Sequence, residues 1–289
     1  MKGGHPMTAK TFQFDPELVV NRLGYGTMQL PGKGVWGPAE NPEEAVAVMQ
    51  AVLASDVNFI DTADSYGPFF ANLYVKEALK TYRGPHKMIA TKVGFTRQGP
   101  GEWTVVGRPE YLRQQVELNL WSLGLESIDL LQLHRIDPAV SLEAQIGVLA
   151  DMQQEGKIKH IGLSQVSVSE LKQAQAITPI VSVQNRYNLI DRHDEAVLNY
   201  ADEQGIAFIP WFPLATGKLA TDENGILMQI AKTHQAQPAQ IALAWLLQRS
   251  DVILPIPGTR NIAHLKANIA AQEIVLTPAE FDQLSRLAD

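Results

Sequence analysis

Short apolar runs of three to six residues recur along the chain, and most are followed by a stretch whose apolar residues fall at helical spacing. The runs are 58–60, 87–91, 128–133, 158–162, 180–184, 206–210 and 251–255, preceded by Arg22–Thr27, which leads into a glycine loop. They do not alternate between apolar and polar residues, which is the pattern of strands buried on both faces. Between them, Ala45, Val48, Met49 and Val52 share one helical face, as do Leu112, Val116, Leu120 and Leu123. Helices are predicted after Asn41 and over 70–82, 110–123, 141–154, 168–176, 192–204, 226–235, 238–249 and 261–271. Their ends carry signals. Asn41-Pro42-Glu43-Glu44 offers a cap, a proline at the first helical position and acids in the first turn. Gly124, Gly156 and Gly205 follow helix stops, and Thr277-Pro278-Ala279-Glu280 is a capping box opening a last helix over 278–288. Residues 11–20 read as a hairpin turning at Asp15-Pro16. Residues 28–40, 93–107 and 211–224 read as loops.

Eight strand-and-helix units in 289 residues predict a single α/β domain over residues 1–289. The expected fold is a (β/α)8 TIM barrel with an N-terminal hairpin and an extra C-terminal helix. A doubly wound open sheet is the alternative and would usually show fewer strands. Composition narrows the function. With 24 basic and 31 acidic residues the net charge is -7 and no basic stripe stands out, so no nucleic-acid partner is expected. The chain has no cysteine, so no disulfide framework or thiolate metal site is expected. No apolar run approaches the roughly 20 residues needed to span a bilayer, and the N-terminus lacks the apolar stretch of a secretory signal. The expectation is a cytoplasmic protein with no membrane partner and no metal. No heptad run is evident, so a monomer is expected.

In a barrel, the active site forms at the carboxyl ends of the strands. Asp61 ends the second strand, Lys92 the third and His134 the fourth, and Tyr66 lies in the loop after Asp61. A free tyrosine titrates near about 10 and a free lysine near about 10.4. A lysine cation beside the phenol favours phenolate, so Tyr66 is expected to have a lowered pKa and to exchange protons near neutrality. Asp61 would keep Lys92 charged, and His134 would hold a substrate oxygen toward Tyr66. Any one of these residues also fits a purely structural role; the conjunction of four at strand ends is what points to chemistry. A second chemistry is open to the same residues, because a barrel lysine such as Lys92 also forms Schiff bases with carbonyl substrates.

The stretches Phe59-Ile60-Asp61-Thr62-Ala63-Asp64-Ser65-Tyr66-Gly67, Ile89-Ala90-Thr91-Lys92, Leu133-His134, Ile161-Gly162-Leu163-Ser164, Val183-Gln184-Asn185-Arg186-Tyr187-Asn188 and Pro255-Ile256-Pro257-Gly258-Thr259 resemble the aldo-keto reductase family, in that family's order. The resemblance implies that Asp61, Tyr66, Lys92 and His134 match the catalytic tetrad. The implied reaction is NADPH-dependent reduction of an aldehyde or ketone, with Tyr66 as proton donor. It further implies that Ser164 and Gln184 hold the nicotinamide carboxamide, with Gln165 standing where the family usually has asparagine. Trp211 would stack on the nicotinamide, and Thr27 and Met28 would border its ribose. Pro213, Leu214, Gly217 and Lys218 match the segment that spans the pyrophosphate.

Gly258-Thr259-Arg260 opens a helix whose amides and dipole suit an anion. By the resemblance, Thr259 and Arg260 would take the adenosine 2′-phosphate and Asn268 the adenine. Two positions depart from the family: Gly258 replaces a lysine, and His264 replaces an arginine that often binds that phosphate. Trp36, Phe69, Phe95, Trp103 and Arg135 are candidate pocket walls by position, and aromatic walls favour a flat or apolar carbonyl compound. The segment Asn21–Leu30 and the glycine loop with Trp36-Gly37-Pro38 resemble bacterial pyridoxal reductases. Gly24-x-Gly26 lacks the third glycine of a dinucleotide fingerprint, which disfavours a Rossmann dehydrogenase. A cofactor-binding regulatory subunit is the non-enzymatic alternative.

Overall fold

The computed structural model describes residues 9–214 and 225–288. Seven strands form one parallel sheet: β3 (Tyr25–Gly26), β4 (Phe59–Asp61), β5 (Met88–Val93), β8 (Ile128–Leu133), β9 (Ile158–Ser164), β10 (Ser182–Gln184) and β11 (Ala207–Phe208). The eighth position is taken by residues 252–255, which make a few bonds rather than a full ladder. Phe208 N donates to Val252 O and Leu254 N to Phe208 O, both at 2.8 Å, and Gly24 N donates to Pro255 O at 2.9 Å. These bonds reach β11 on one side and the approach to β3 on the other, so the sheet closes into the expected barrel.

Closure needs two backbones to come very close. A Cβ at Gly26 would lie 2.7 Å from Ile256 O, and one at Gly258 would lie 2.6 Å from Gly26 O. The first glycine run thus serves the seam of the barrel. Arg22 locks the same seam. Its buried guanidinium donates to Leu247 O at 2.6 Å and Ile253 O at 3.3 Å, also reaches Ser250 O, and pairs with Asp251 at 3.4 Å. Burial lowers its pKa to about 10, which leaves it charged at neutral pH.

The antiparallel hairpin β1 (Thr11–Asp15) and β2 (Leu18–Asn21) plugs the amino end of the barrel. Leu18 and Val20 pack with Phe59, Met88, Leu130, Ala207 and Leu254. Because side chains alternate along a strand, the residues two positions beyond Phe59, Ala90 and Leu130 are Asp61, Lys92 and Gln132. The barrel interior is therefore apolar at the hairpin end and polar at the other.

The outer layer holds α1 (Pro42–Leu53), α2 (Phe70–Leu79), α3 (Pro109–Leu123), α4 (Leu142–Gln154), α5 (Val168–Gln175), α6 (Glu195–Gln204), α7 (Ile226–Thr233), α8 (Pro238–Arg249) and α9 (Ile262–Ala270). The further C-terminal helix is α10 (Pro278–Ser285). Asn41 caps α1 by accepting from Glu44 N at 3.3 Å, and the Thr277–Glu280 capping box opens α10. Several elements are shorter than expected. The helix predicted over 70–82 ends at Leu79, the one predicted from 192 starts at Glu195, and the last turns into a 3-10 turn at Arg286. The loop predicted over 93–107 contains a hairpin, β6 (Phe95–Gly99) and β7 (Glu102–Val105). No described helix is long and apolar enough to cross a membrane.

Replacing Arg22 leaves several buried carbonyls at the seam without a donor. We expect Arg22→Met to lower unfolding free energy by about 2–4 kcal/mol in urea denaturation. An unchanged midpoint would show that the seam does not depend on it.

Candidate active site

Lys92, fully buried in β5, is the centre of the polar end of the barrel. Its Nζ donates to Asp61 Oδ1 at 2.5 Å, Thr62 O at 2.9 Å and Tyr66 Oη at 3.3 Å, which uses all of its protons. The other carboxylate oxygen, Asp61 Oδ2, accepts from Gln184 Nε2 at 2.8 Å and Gln132 Nε2 at 3.1 Å. Burial works against the Lys92 ammonium, but the Asp61 carboxylate and the Tyr66 phenol outweigh it and hold the pKa above its ordinary value. Sequence reasoning passed over Gln132; the signal was one polar residue inside an otherwise apolar run.

Tyr66 departs from expectation. Burial raises its pKa, although the Lys92 cation pulls the other way. The phenol is therefore a protonated group, with the cation poised to stabilise phenolate once the proton leaves. His134 is pushed well below the ordinary imidazole range by burial and by the Lys92 and Arg135 cations, so it is neutral. Its Nδ1 lies 3.4 Å from Ser65 Oγ. Assigning the serine hydroxyl as donor leaves the ring proton on Nε2, free for a substrate oxygen. Aromatic rings surround the imidazole: Phe95 at 4.7 Å, Tyr66 at 6.0 Å and Trp103 at 6.3 Å between centroids.

The loop bearing Tyr66 is anchored from two sides. Thr62 Oγ1 donates to Asn72 Oδ1 at 2.8 Å, and Asn72 Nδ2 donates to Asn119 Oδ1 at 2.8 Å and Ser122 Oγ at 3.0 Å, which explains two buried polar residues on the inner face of α3. On the outer side Arg97 donates to Ser65 O at 2.7 Å, Val35 O at 2.8 Å and Glu102 O at 2.7 Å, and its guanidinium lies 3.6 Å from the Trp103 ring centre. Arg97 was not legible because its partners are backbone carbonyls, which leave no mark in sequence. Asp64, two residues before Tyr66, is buried, and burial holds its carboxyl well above the ordinary carboxylate range.

These residues open onto a cavity of about 560 Å³. Asp61, Tyr66 and His134 line it, as do Phe95, Trp103 and Arg135 of the expected pocket walls. Trp36 and Phe69 do not line it. Trp36 lies 5.7 Å from the Arg97 guanidinium, and Phe69 is the residue preceding α2. Met28, Ser164, Gln184, Trp211, Pro213, Leu214 and Gly258 border the cavity, together with Phe212 and Ala239, which sequence reasoning did not single out. Thr27 is buried behind the wall with its hydroxyl on Thr62 at 2.9 Å.

Gln165 is not free to meet a ligand amide. Its Nε2 donates to Asp194 at 2.9 Å, while its Oε1 accepts from Trp211 Nε1 at 3.0 Å and Arg186 N at 3.2 Å. It sits at φ 55°, unusual for a residue with a Cβ, and it fixes the indole instead. Beyond Gly258, Thr259 is buried and Arg260 exposed. The helix-amide expectation is reduced, since Asn261 Oδ1 already accepts from Ala263 N at 2.7 Å and His264 N at 3.2 Å. His264 is exposed and Asn268 buried, and neither lines the cavity. Gly217 and Lys218 lie outside the described residues. Among the described residues, no group of three or more metal-ligating side chains is gathered.

Comparison with known proteins bears on the family and the fold. Pyridoxine 4-dehydrogenase of Escherichia coli is 43% identical over 277 residues, covering 94% of this chain and 96% of the relative. An uncharacterized oxidoreductase of Schizosaccharomyces pombe is 46% identical over 268 residues, covering 93% and 87%. A thermostable aldo-keto reductase in complex with the inhibitor epalrestat superposes with a TM-score of 0.86 at 28% identity, covering 96% of this chain and 99% of that one. An aldo-keto reductase of Klebsiella pneumoniae in complex with NADPH superposes with a TM-score of 0.81 at 26% identity, covering 98% and 96%. Residues 22–289 match the sequence profile of the aldo/keto reductase family, and the chain is an oxidoreductase belonging to that family.

Proposed function

We propose that this chain reduces aldehydes and ketones to alcohols with NADPH, that Tyr66 supplies the proton, and that pyridoxal, reduced to pyridoxine, is a substrate. The observation that carries the reading is the fully buried Lys92, joined to Asp61 at 2.5 Å and to the Tyr66 phenol at 3.3 Å, beside an aromatic-lined cavity. Support for the substrate is the likeness to pyridoxine 4-dehydrogenase, whose name describes the reverse reaction.

The cavity suits a nicotinamide on physical grounds. Gln165 holds the indole of Trp211 at its edge, and Ser164 and Gln184 line the same cavity with polar side chains. Reduced nicotinamide, when bound, supplies the hydride for the carbonyl carbon. The chain supplies the rest. His134 Nε2–H and the Tyr66 hydroxyl hold the carbonyl oxygen and polarise it. The Tyr66 proton passes to that oxygen, and the phenolate left behind is stabilised by the Lys92 cation until solvent restores the proton. Asp61 keeps Lys92 charged, with Gln132 and Gln184 satisfying its second oxygen. Arg260, exposed just past the cavity rim, is the group we assign to the 2′-phosphate, with Thr259 beside it. A Schiff base on Lys92 is the poorer reading, because a buried ammonium with all its protons engaged is not the neutral amine that such chemistry needs.

Tyr66→Phe should lose about 10²–10⁴-fold in kcat for pyridoxal and nitrobenzaldehyde reduction, followed by loss of reduced-nicotinamide absorbance, while still quenching tryptophan fluorescence on binding NADPH. Retained turnover would remove Tyr66 from the proton step. In parallel titrations, wild type should bind NADPH more tightly than NADH, and Arg260→Ala should lower that preference by about tenfold or more. Equal affinities in wild type would overturn the choice of NADPH.

A further inference from the structure

Among the described residues, one cation that lines the cavity has no counter-ion. Arg135, which follows His134 after β8, lines the cavity and is half-buried. One guanidinium nitrogen, Nη1, donates to His134 O at 2.6 Å and Ser164 Oγ at 3.0 Å. Among the described residues, Nε and Nη2 have no hydrogen-bond acceptor and no carboxylate pairs with the group. Its neighbours are aromatic: Phe95 lies 5.7 Å and Trp211 5.8 Å from the guanidinium carbon. The other charges here are already matched. Asp61 is neutralised by Lys92, and Arg186 by Asp191 at 2.7 Å.

Burying a cation without an anion is costly. A ligand that supplies the missing charge offsets that cost, and a guanidinium is suited to a planar, two-oxygen partner. The carbonyl oxygen itself is served by Tyr66 and His134, which leaves Arg135 for a second, anionic group on the same substrate. The flanking rings set the shape of that substrate as flat.

We propose that Arg135 binds an anionic oxygen of the substrate, and that the site thereby selects aromatic aldehydes bearing a carboxylate or phenolate over neutral ones of the same size. The inference rests on the carbonyl-reductase reading above. It also gives that reading a chemical class: pyridoxal, with an acidic ring hydroxyl beside its aldehyde, falls within it.

The test compares 4-formylbenzoate with its uncharged methyl ester at saturating NADPH, in wild type, Arg135→Met and Arg135→Lys. Methionine keeps the apolar stem, and lysine keeps the charge without the fork. The ratio of kcat/KM for the carboxylate over the ester should fall by about tenfold or more in Arg135→Met, chiefly through KM, and by less in Arg135→Lys. The Kd for NADPH, from tryptophan quenching, should stay within about twofold of wild type. An unchanged ratio would overturn the proposal. So would a weakened NADPH Kd with the ratio intact, which would assign Arg135 to the cofactor. Calorimetric titration of 4-formylbenzoate into each protein with NADP+ is the second arm. If wild type reduces neither aldehyde, the reductase reading fails, and loss of 4-formylbenzoate binding in Arg135→Met still decides the role of the cation.

Discussion

The structure depends on one buried ion pair. Lys92 and Asp61 meet at 2.5 Å in the barrel interior, where either charge alone would be prohibitive. The pair is tolerable because it leaves nothing unsatisfied: Lys92 reaches Thr62 O and Tyr66 as well, and Asp61 takes two glutamine amides. Those partners come from β4, β5, β8, β10 and the loop after β4, so the pair holds much of the barrel's mouth in register. It also bears on the protonation states around it. Burial first, and then the Lys92 and Arg135 cations, keep the His134 imidazole neutral, and the Lys92 cation is ready to stabilise Tyr66 as phenolate.

The remaining machinery positions the groups around this pair. Asn72, Asn119 and Ser122 fix the loop of Tyr66 from beneath, and Arg97 fixes it from outside while stacking on Trp103. Gln165 fixes the indole of Trp211. Each of these spends hydrogen bonds on the protein, while Tyr66 Oη–H, His134 Nε2, part of Arg135, Ser164 and Gln184 line the cavity as polar groups that face a ligand. Pre-organisation of this kind lowers the cost of ordering the site when substrate arrives.

Much of the fold was legible because its signals are local. Continuous apolar runs marked the buried strands, and Asn41, Gly124 and Thr277 marked helix ends. The four residues at strand ends were legible because strand parity carries Asp61 and Lys92 to the barrel interior. What escaped were features set by long-range packing. The hairpin over Phe95–Val105 sits in a stretch rich in glycine and polar residues, and it is held by Arg97 on backbone carbonyls distant in sequence. The eighth strand makes only a few bonds, and the close approach of Gly26 to Ile256 at the seam leaves no signal of its own in sequence. The pKa of Tyr66 moved opposite to expectation because the neighbouring charge was apparent in sequence and the burial was not. The partners of Gln165 escaped for a similar reason, since Asp194 and Trp211 engage the two ends of its amide from distant parts of the chain.

The central claim is electrostatic: burial keeps Tyr66 protonated and His134 neutral, with the Lys92 cation beside them ready to stabilise phenolate. Its most direct test is the pH dependence of kcat/KM for a carbonyl substrate that does not itself titrate, such as nitrobenzaldehyde, at saturating NADPH. With the His134 pKa well below its ordinary value and that of Tyr66 above its own, neither group changes charge near neutrality. The account predicts a flat profile between about pH 6 and 9. A transition centred near about 6.5, or a fall through about 8, would show one of these groups titrating where the structure says it does not, and would contradict the account.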